Sequence, residues 1–259
     1  MNRAMDLGGR SFLGIVVLAL GVLIFCSTTP AFAGFSDQIV TIEVANSQGS
    51  ASQSWALPSE ASEKARLTLA NRVDLRGGEG NEVLATIDDL VIELDGDPEV
   101  SLDFAVGAGN FATQFTITTA MVSFPPRLNP TAFATAGITL TDRDPLPGDG
   151  AALNPVAPNT GLYQAMYNGG TVYADLFAPL NLPGPGTLAA STDTGVQSIS
   201  GAVSDIQASF SFTLSADDSA SGTSRFEIFG PLVPEPSTTA LLACGLVGLL
   251  ALGGRKRRN

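Results

Sequence analysis

The sequence predicts an all-β body, an antiparallel β-sandwich or a jelly-roll-like barrel, and three observations predict it. Apolar and polar residues alternate over several short stretches. Turn-forming residues recur between those stretches, as in Arg76-Gly77-Gly78-Glu79-Gly80, Asp95-Gly96-Asp97-Pro98, Asn168-Gly169-Gly170 and Asp217-Asp218-Ser219. Helix signals are few: Pro58-Ser59-Glu60 can open one short helix, with Glu60 four residues ahead of Lys64, before the two-residue period resumes at Leu67.

Taken in order, the expected strands begin with Val40, Ile42 and Val44, followed by Leu67, Leu69, Val73 and Leu75. Val83 to Leu94 forms the next, then Val100, Leu102, Phe104 and Val106, and then Phe115 and Ile117 in a threonine-rich run. Leu162 to Tyr167 and Val172 to Phe177 flank Asn168-Gly169 and read as a hairpin, because Asn and Gly accept the positive φ a tight turn needs. The clearest strand starts at Ile206, where Ile206, Ala208, Phe210, Phe212 and Leu214 alternate with Gln207, Ser209, Ser211, Thr213 and Ser215. Arg225 to Phe229 closes the series. Pro125 to Pro158, dense in Pro-Pro, Asn-Pro and Asp-Pro pairs, reads as loop, and Pro179 to Gly186 has the same character. No fixed-period repeat suggests a solenoid.

Both ends differ from this body. Arg3 and Arg10 precede an apolar run from Phe12 to Phe25, and Ala31 and Ala33 place small residues where a signal peptidase cleaves. Cleavage after Ala33 is the expectation, with an uncleaved first helix as the alternative. Phe25-Cys26-Ser27 lacks the small residues that a lipoprotein cysteine requires ahead of it. At the other end, Val233 to Asn259 holds Pro234-Glu235-Pro236, an uncharged run from Ser237 to Gly254, and the cluster Arg255, Lys256, Arg257 and Arg258. As a helix that run reaches about 27 Å, a marginal match to a hydrocarbon core of about 30 Å. The basic cluster stays cytoplasmic, so the residues before Pro234 lie across the membrane. The organisation expected is therefore a signal peptide over 1–33, an exported body over 34–232 and a tail over 233–259.

That tail closely resembles the PEP-CTERM sorting signal, which is read by membrane-embedded exosortases of Gram-negative, biofilm-forming bacteria. Both prolines lack an amide proton and push the residue ahead of them toward extended backbone, which leaves Glu235 accessible. The resemblance covers only the terminal residues. It implies recognition and processing at Pro234, Glu235 and Pro236, followed by Ser237, and transient membrane anchorage before release to the cell surface or an exopolysaccharide matrix. A plain tail anchor is the alternative.

Charge narrows the choice for the body. Of 13 Lys and Arg, two fall in the leader and four in the tail, and of 25 Asp and Glu only Asp6 and Glu235 fall outside, leaving seven against 23, a net charge of about −16. Nucleic acid is excluded, because phosphate binding needs clustered cations and only Lys64, Arg66, Arg72 and Arg76 lie close together. The sequence has no histidine, and Cys26 and Cys244 both fall in segments expected to be removed. Histidine-based and cysteine-based catalysis, the usual zinc sites and disulfides are therefore not expected in the mature body.

Carboxylate chemistry remains. Asp88 and Asp89, or Asp95, Asp97 and Glu99, offer paired acids, but a glycosidase needs a defined spatial separation that sequence neighbours do not provide. A structural calcium is the more reasonable ligand, since hard cations favour turn oxygens; the candidates are Asp142, Asp144 and Asp149, and Asp95, Asp97 and Glu99, neither set with EF-hand spacing. Trp55, Tyr163, Tyr167 and Tyr173 are candidates to stack on a sugar, with core or rim positions as the alternative. Thr113, Thr116, Thr118 and Thr119 are a fragment of an ice-binding face at best. The expectation is a non-catalytic surface or matrix protein, with a carbohydrate- or ice-binding module as the alternative.

Overall fold

Period-two alternation places apolar side chains on one face of each strand, and two such faces closing on one another make the core. The computed structural model describes residues 34–35, 37–57, 63–143 and 150–230, all within one unit spanning Phe32–Leu232. Its strands, numbered in chain order, form two antiparallel sheets. The ten-stranded first sheet contains β1 (Gly34–Phe35), β2 (Gln38–Asn46), β3 (Gly49–Ala56), β8 (Thr113–Thr119), β9 (Val122–Leu128), β11 (Ala151–Pro155), β12 (Tyr163–Tyr167), β13 (Thr171–Leu176), β14 (Leu180–Leu182) and β17 (Ala202–Leu214). The eight-stranded second sheet contains β4 (Lys64–Thr68), β5 (Val73–Gly77), β6 (Glu82–Asp95), β7 (Glu99–Ala108), β10 (Thr131–Thr141), β15 (Thr187–Asp193), β16 (Gln197–Ser198) and β18 (Ser219–Phe229).

The spine of the first sheet is β17. β8 and β9 pair along one of its edges and β11 and β12 along the other, with β2 and β3 added beyond β8 and β13 beyond β12. The second sheet runs β15-β10-β18-β7-β6-β4. From β7 onward the chain crosses to the first sheet for β8 and β9, back for β10, over again for β11 to β14, back for β15 and β16, over for β17 and back for β18.

Ile206, Ala208, Phe210, Phe212 and Leu214 of β17 are all fully buried, as their alternation predicts. Phe104 of β7 reaches across from the second sheet to meet Phe210 edge-on at 4.9 Å and Phe212 at 6.0 Å. Phe115 stacks on Phe212 at 5.5 Å and Tyr163 tilts against Phe210 at 4.9 Å, so the aromatic centre ties both sheets together. Gly222 of β18 is the register partner of Phe104, and a Cβ there would lie 2.4 Å from its ring. The ring covers a glycine that leaves it room.

Two expectations change here. Pro125 to Pro158, read as loop, contains the last part of β9, the whole of β11 and the whole of β10, which lies between β15 and β18. β10 buries Ala132, Ala134, Ala136, Ile138 and Leu140 and turns threonines outward, and Ala against Thr gives too little hydropathy contrast to read as a strand. Pro125 and Pro126 sit where β9 shifts register against β17, a bulge where no ladder donor is required. The run Leu67 to Leu75 is two strands, β4 and β5, lying one after the other along β6. The short helix expected at Pro58 lies outside the described residues, and Lys64 pairs with Asp95 at 2.6 Å.

Candidate functional site

The residues expected to direct sorting and processing, Ala31, Ala33, Pro234, Glu235, Pro236, Ser237 and Arg255 to Arg258, lie outside the described residues, as do Asp144 and Asp149. The other acids proposed as calcium ligands are placed. Asp95, Asp97 and Glu99 share the β6–β7 turn, but each is taken by a different cation. Asp95 binds Lys64 at 2.6 Å, Asp97 binds Arg127 at 2.5 Å, and Glu99 binds Arg225 at 2.8 Å. Asp95 also accepts the Asp97 amide at 3.1 Å, an Asx turn that shapes the hairpin. Asp142 follows β10 and is almost buried, with its amide donating to the Gly186 carbonyl at 3.1 Å. The paired acids Asp88 and Asp89 separate: Asp88 faces Arg72 at 3.6 Å and Arg143 at 3.9 Å, while Asp89 caps the Leu90 amide at 2.9 Å.

The same geometry accounts for every cation of the body. Arg66 pairs with Glu93 at 2.8 Å, Arg72 and Arg76 both hold Asp74, and Arg225 also reaches Glu227 at 2.7 Å. With Lys64, Arg127 and Arg143 engaged as above, all seven positive side chains face carboxylates, and the excess negative charge is left to the surface. The local concentration at Lys64 to Arg76 is thus a neutralised sheet margin. Asp74 is held below the usual carboxylate range, chiefly by its hydrogen bond from Arg76, and burial pushes Asp103 above it, with Glu93 and Asp89 adding to the rise.

Because Asp103 has a higher pKa folded than unfolded, its ionised form costs stability at neutral pH, and that cost fades as pH falls through the folded value toward about 3.9. Asp103→Asn is expected to raise stability at pH 7 by roughly 0.5 kcal/mol, since water on its open side screens the effect. The gain should vanish near pH 3.5 in urea melts, and an equal gain at both values would remove the electrostatic explanation.

Arg127 is the one cation with a mostly buried side chain, 10% exposed. Its Nη1 donates to the Ile228 carbonyl at 2.9 Å while Nη2 holds Asp97, so it joins β9 of one sheet to β18 and the β6–β7 turn of the other. Arg127→Ala leaves that carbonyl without its donor and is expected to cost about 1–3 kcal/mol in denaturant midpoint analysis. A loss below about 0.3 kcal/mol would show that the tie carries nothing.

Thr116 and Thr118, together with residues that the sequence reading did not single out, form an extended polar surface. On the outer face of the first sheet, register aligns Ser54, Thr41, Thr118, Ser209 and Gln164 in one row across β3, β2, β8, β17 and β12. A second row aligns Ser52, Glu43 and Thr116, ending at Ser211, which is buried, and a third Ser50, Ala45, Gln114, Thr213 and Asn154. Cross-strand hydroxyl contacts stitch the first row, Thr41 to Ser54 at 3.0 Å and Thr118 to Ser209 at 3.3 Å. Between the second and third rows lies a groove of about 500 Å³ lined by Glu43, Ala45, Ser50, Ser52, Gln114 and Thr116. The serines at positions 50, 52 and 54 already alternate in the sequence, and that was the available signal.

Candidate side chains for other readings turn inward. Tyr163 is buried, Tyr173 stacks on Phe226 at 5.3 Å, and Trp55 and Tyr167 pack against the core, so these four aromatics serve the interior. The threonine run divides between faces. Thr116 and Thr118 point outward, whereas Thr113 donates to the Phe111 carbonyl at 2.8 Å and Thr119 accepts the Ala208 amide at 3.1 Å within the sandwich.

No family model matches the chain, and no curated protein matches it. Among solved structures, a carbohydrate-binding module in complex with β-1,4-galactotriose aligns with a TM-score of 0.26 at 12% identity, covering 51% of this chain and 71% of that one. An arabinose-bound α-L-arabinofuranosidase aligns with a TM-score of 0.26 at 13% identity, over 63% of this chain and 23% of that one. The enzymatically active domain of a bacteriophage CBA120 tailspike protein aligns with a TM-score of 0.27 at 11% identity, over 64% and 19%. The chain thus spans less than a quarter of the last two. What those proteins bind or cleave belongs to them.

Proposed function

We propose that this chain is an exported surface or extracellular-matrix protein, sorted and processed through its PEP-CTERM tail by an exosortase-type peptidase, with a non-catalytic jelly-roll body that contacts exopolysaccharide. The alternation of sheets from β7 to β18 supports the jelly-roll reading, since the central orders β7-β18-β10-β15 and β8-β17-β12-β13 follow from two interleaved Greek keys. The leader ending at Ala33 and the Pro234-Glu235-Pro236 tail support export and processing.

The observation that carries the polysaccharide contact is the outer face of the first sheet, three register-aligned rows of hydroxyl, amide and carboxylate groups. Such a surface exchanges hydrogen bonds with a hydroxylated polymer without requiring an apolar pocket. Ion pairing of Asp88, Asp95, Asp97 and Glu99, in a sequence without histidine, favours a binding role over a catalytic one. Intact mass of the exported product tests the delivery half: a chain starting at Gly34 and ending between Pro234 and Ser237 is expected, and one retaining Asn259 would favour a simple anchor. Co-sedimentation of that product with the host's exopolysaccharide tests the other half.

A further inference from the structure

We infer that the groove beside Glu43 is a sugar subsite for a neutral polysaccharide, with the Glu43 carboxylate accepting hydrogen bonds from adjacent hydroxyls of one ring. The inference rests on the polysaccharide contact proposed above and assigns it a place and a ligand class. The groove lies on the last three strands of the first sheet, with β3 as its marginal strand and Gly77 and Gly78 at the end of β5 packed against the β3 backbone at Ser50 and Gly49. Its floor is Ala45, whose register partners Ser50 and Gln114 stand on either side. A longer side chain at position 45 would fill the space those neighbours leave.

Glu43 is exposed, lies between Ser52 and Thr116 in the adjacent row, and has no ion-pair partner among the described residues. It is also the one charged side chain lining the groove. An ionised carboxylate only accepts, and it presents two oxygens at a spacing that suits neighbouring hydroxyls. Ser50, Ser52 and Thr116 can donate or accept, and the Gln114 amide does both, so hydroxyls that accept as well as donate find partners around the same ring.

Charge selects the class. The groove offers a uronate or sulfate no cation, and every cation of the body is already held by a carboxylate. An anionic polymer would approach an acidic surface and gain no counter-charge in the groove. A neutral polymer escapes that repulsion, and its binding should be insensitive to salt, unlike retention driven by net charge.

Affinity electrophoresis or a glycan array with the exported protein, alongside Glu43→Gln and Ala45→Leu, tests this. The expected result is retention by one or more neutral polysaccharides and none by uronate polymers, unchanged between about 0.05 and 0.5 M salt, with each substitution weakening retention tenfold or more. Both substitutions lie on an outer face, and an unchanged melting temperature verifies that the fold is intact. Retention that persists in both variants would overturn the groove while leaving polysaccharide contact standing. Absence of any glycan retention would overturn both, and retention only by a cationic polymer, lost at high salt, would overturn the neutral assignment.

Discussion

Phe104→Ala is expected to lower the stability of the body by about 3–5 kcal/mol, the range for removing a buried phenylalanine ring and leaving its cavity. Phe104 is 3% exposed and bridges the sheets, touching Phe210 and Phe212 from across the core. Its ring also covers Gly222, which has no side chain to move into the space. Collapse is therefore limited, which places the cost toward the upper end. The total stability of a domain of this size is about 5–15 kcal/mol, and a body without cysteine has no disulfide to hold a weakened core closed. A fall in melting temperature of about 10 °C or more follows, from about 2–4 °C per kcal/mol at this length. Thr139→Ala on the outer face of β10 supplies the control, with an expected change within about 0.5 kcal/mol. A loss below about 1 kcal/mol at Phe104 would mean that the sheets do not close on this ring.

The same residues show how much of the fold could be read beforehand. Phe210, Phe212 and Ile206 differ sharply in hydropathy from the serines between them, and the strand they mark proved to be the spine of the first sheet. β10 is just as central to its sheet, yet its inner face begins with three alanines while its outer face carries Phe133 and Gly137 among four threonines, so burial there depends on the partner strands and not on the residues themselves. β3 and β15 are composed largely of Ser, Ala and Thr, and they escaped notice for the same reason. Turn chemistry was more legible. Asn168 at φ 47° and Gly169 at φ 72° occupy the left-handed region that the hairpin between β12 and β13 requires.

The candidate site was much less legible, because register decides it. Thr116 is far in the chain from Glu43 and Ser52, and the three become neighbours only when β3, β2 and β8 pair. A single strand reveals which residues share a face but not which strand lies beside it. Proximity in sequence told only part of the arrangement at Asp95, Asp97 and Glu99. They share a turn as expected, and the fold adds Arg127 from the first sheet and Arg225 from the adjacent strand β18 as ion-pair partners, which the turn's own sequence does not show.

Replacing Pro234-Glu235-Pro236 with three alanines is expected to abolish processing, so that the chain recovered from a host with a working exosortase retains Asn259 and stays with the membrane fraction. The substitution removes two fixed φ angles and restores two amide protons, so the segment loses the backbone constraint on which the proposed recognition relies. It also removes the Glu235 charge immediately ahead of the apolar run beginning at Ser237 and leaves unchanged Arg255 to Arg258, to which the proposed reading assigns the direction of insertion. Export and folding should be unaffected. The last described strand, β18, ends at Phe229 and its pairing with β7 and β10 involves no tail residue, so the melting temperature of the body should not change. Glu235→Gln separates charge from shape: processing that survives it would assign recognition to the prolines, and processing lost with it would assign recognition to the carboxylate. If the triple-alanine chain is released with the same mass as the unaltered protein, the tail is not a sorting signal, and the exported-matrix reading loses its premise.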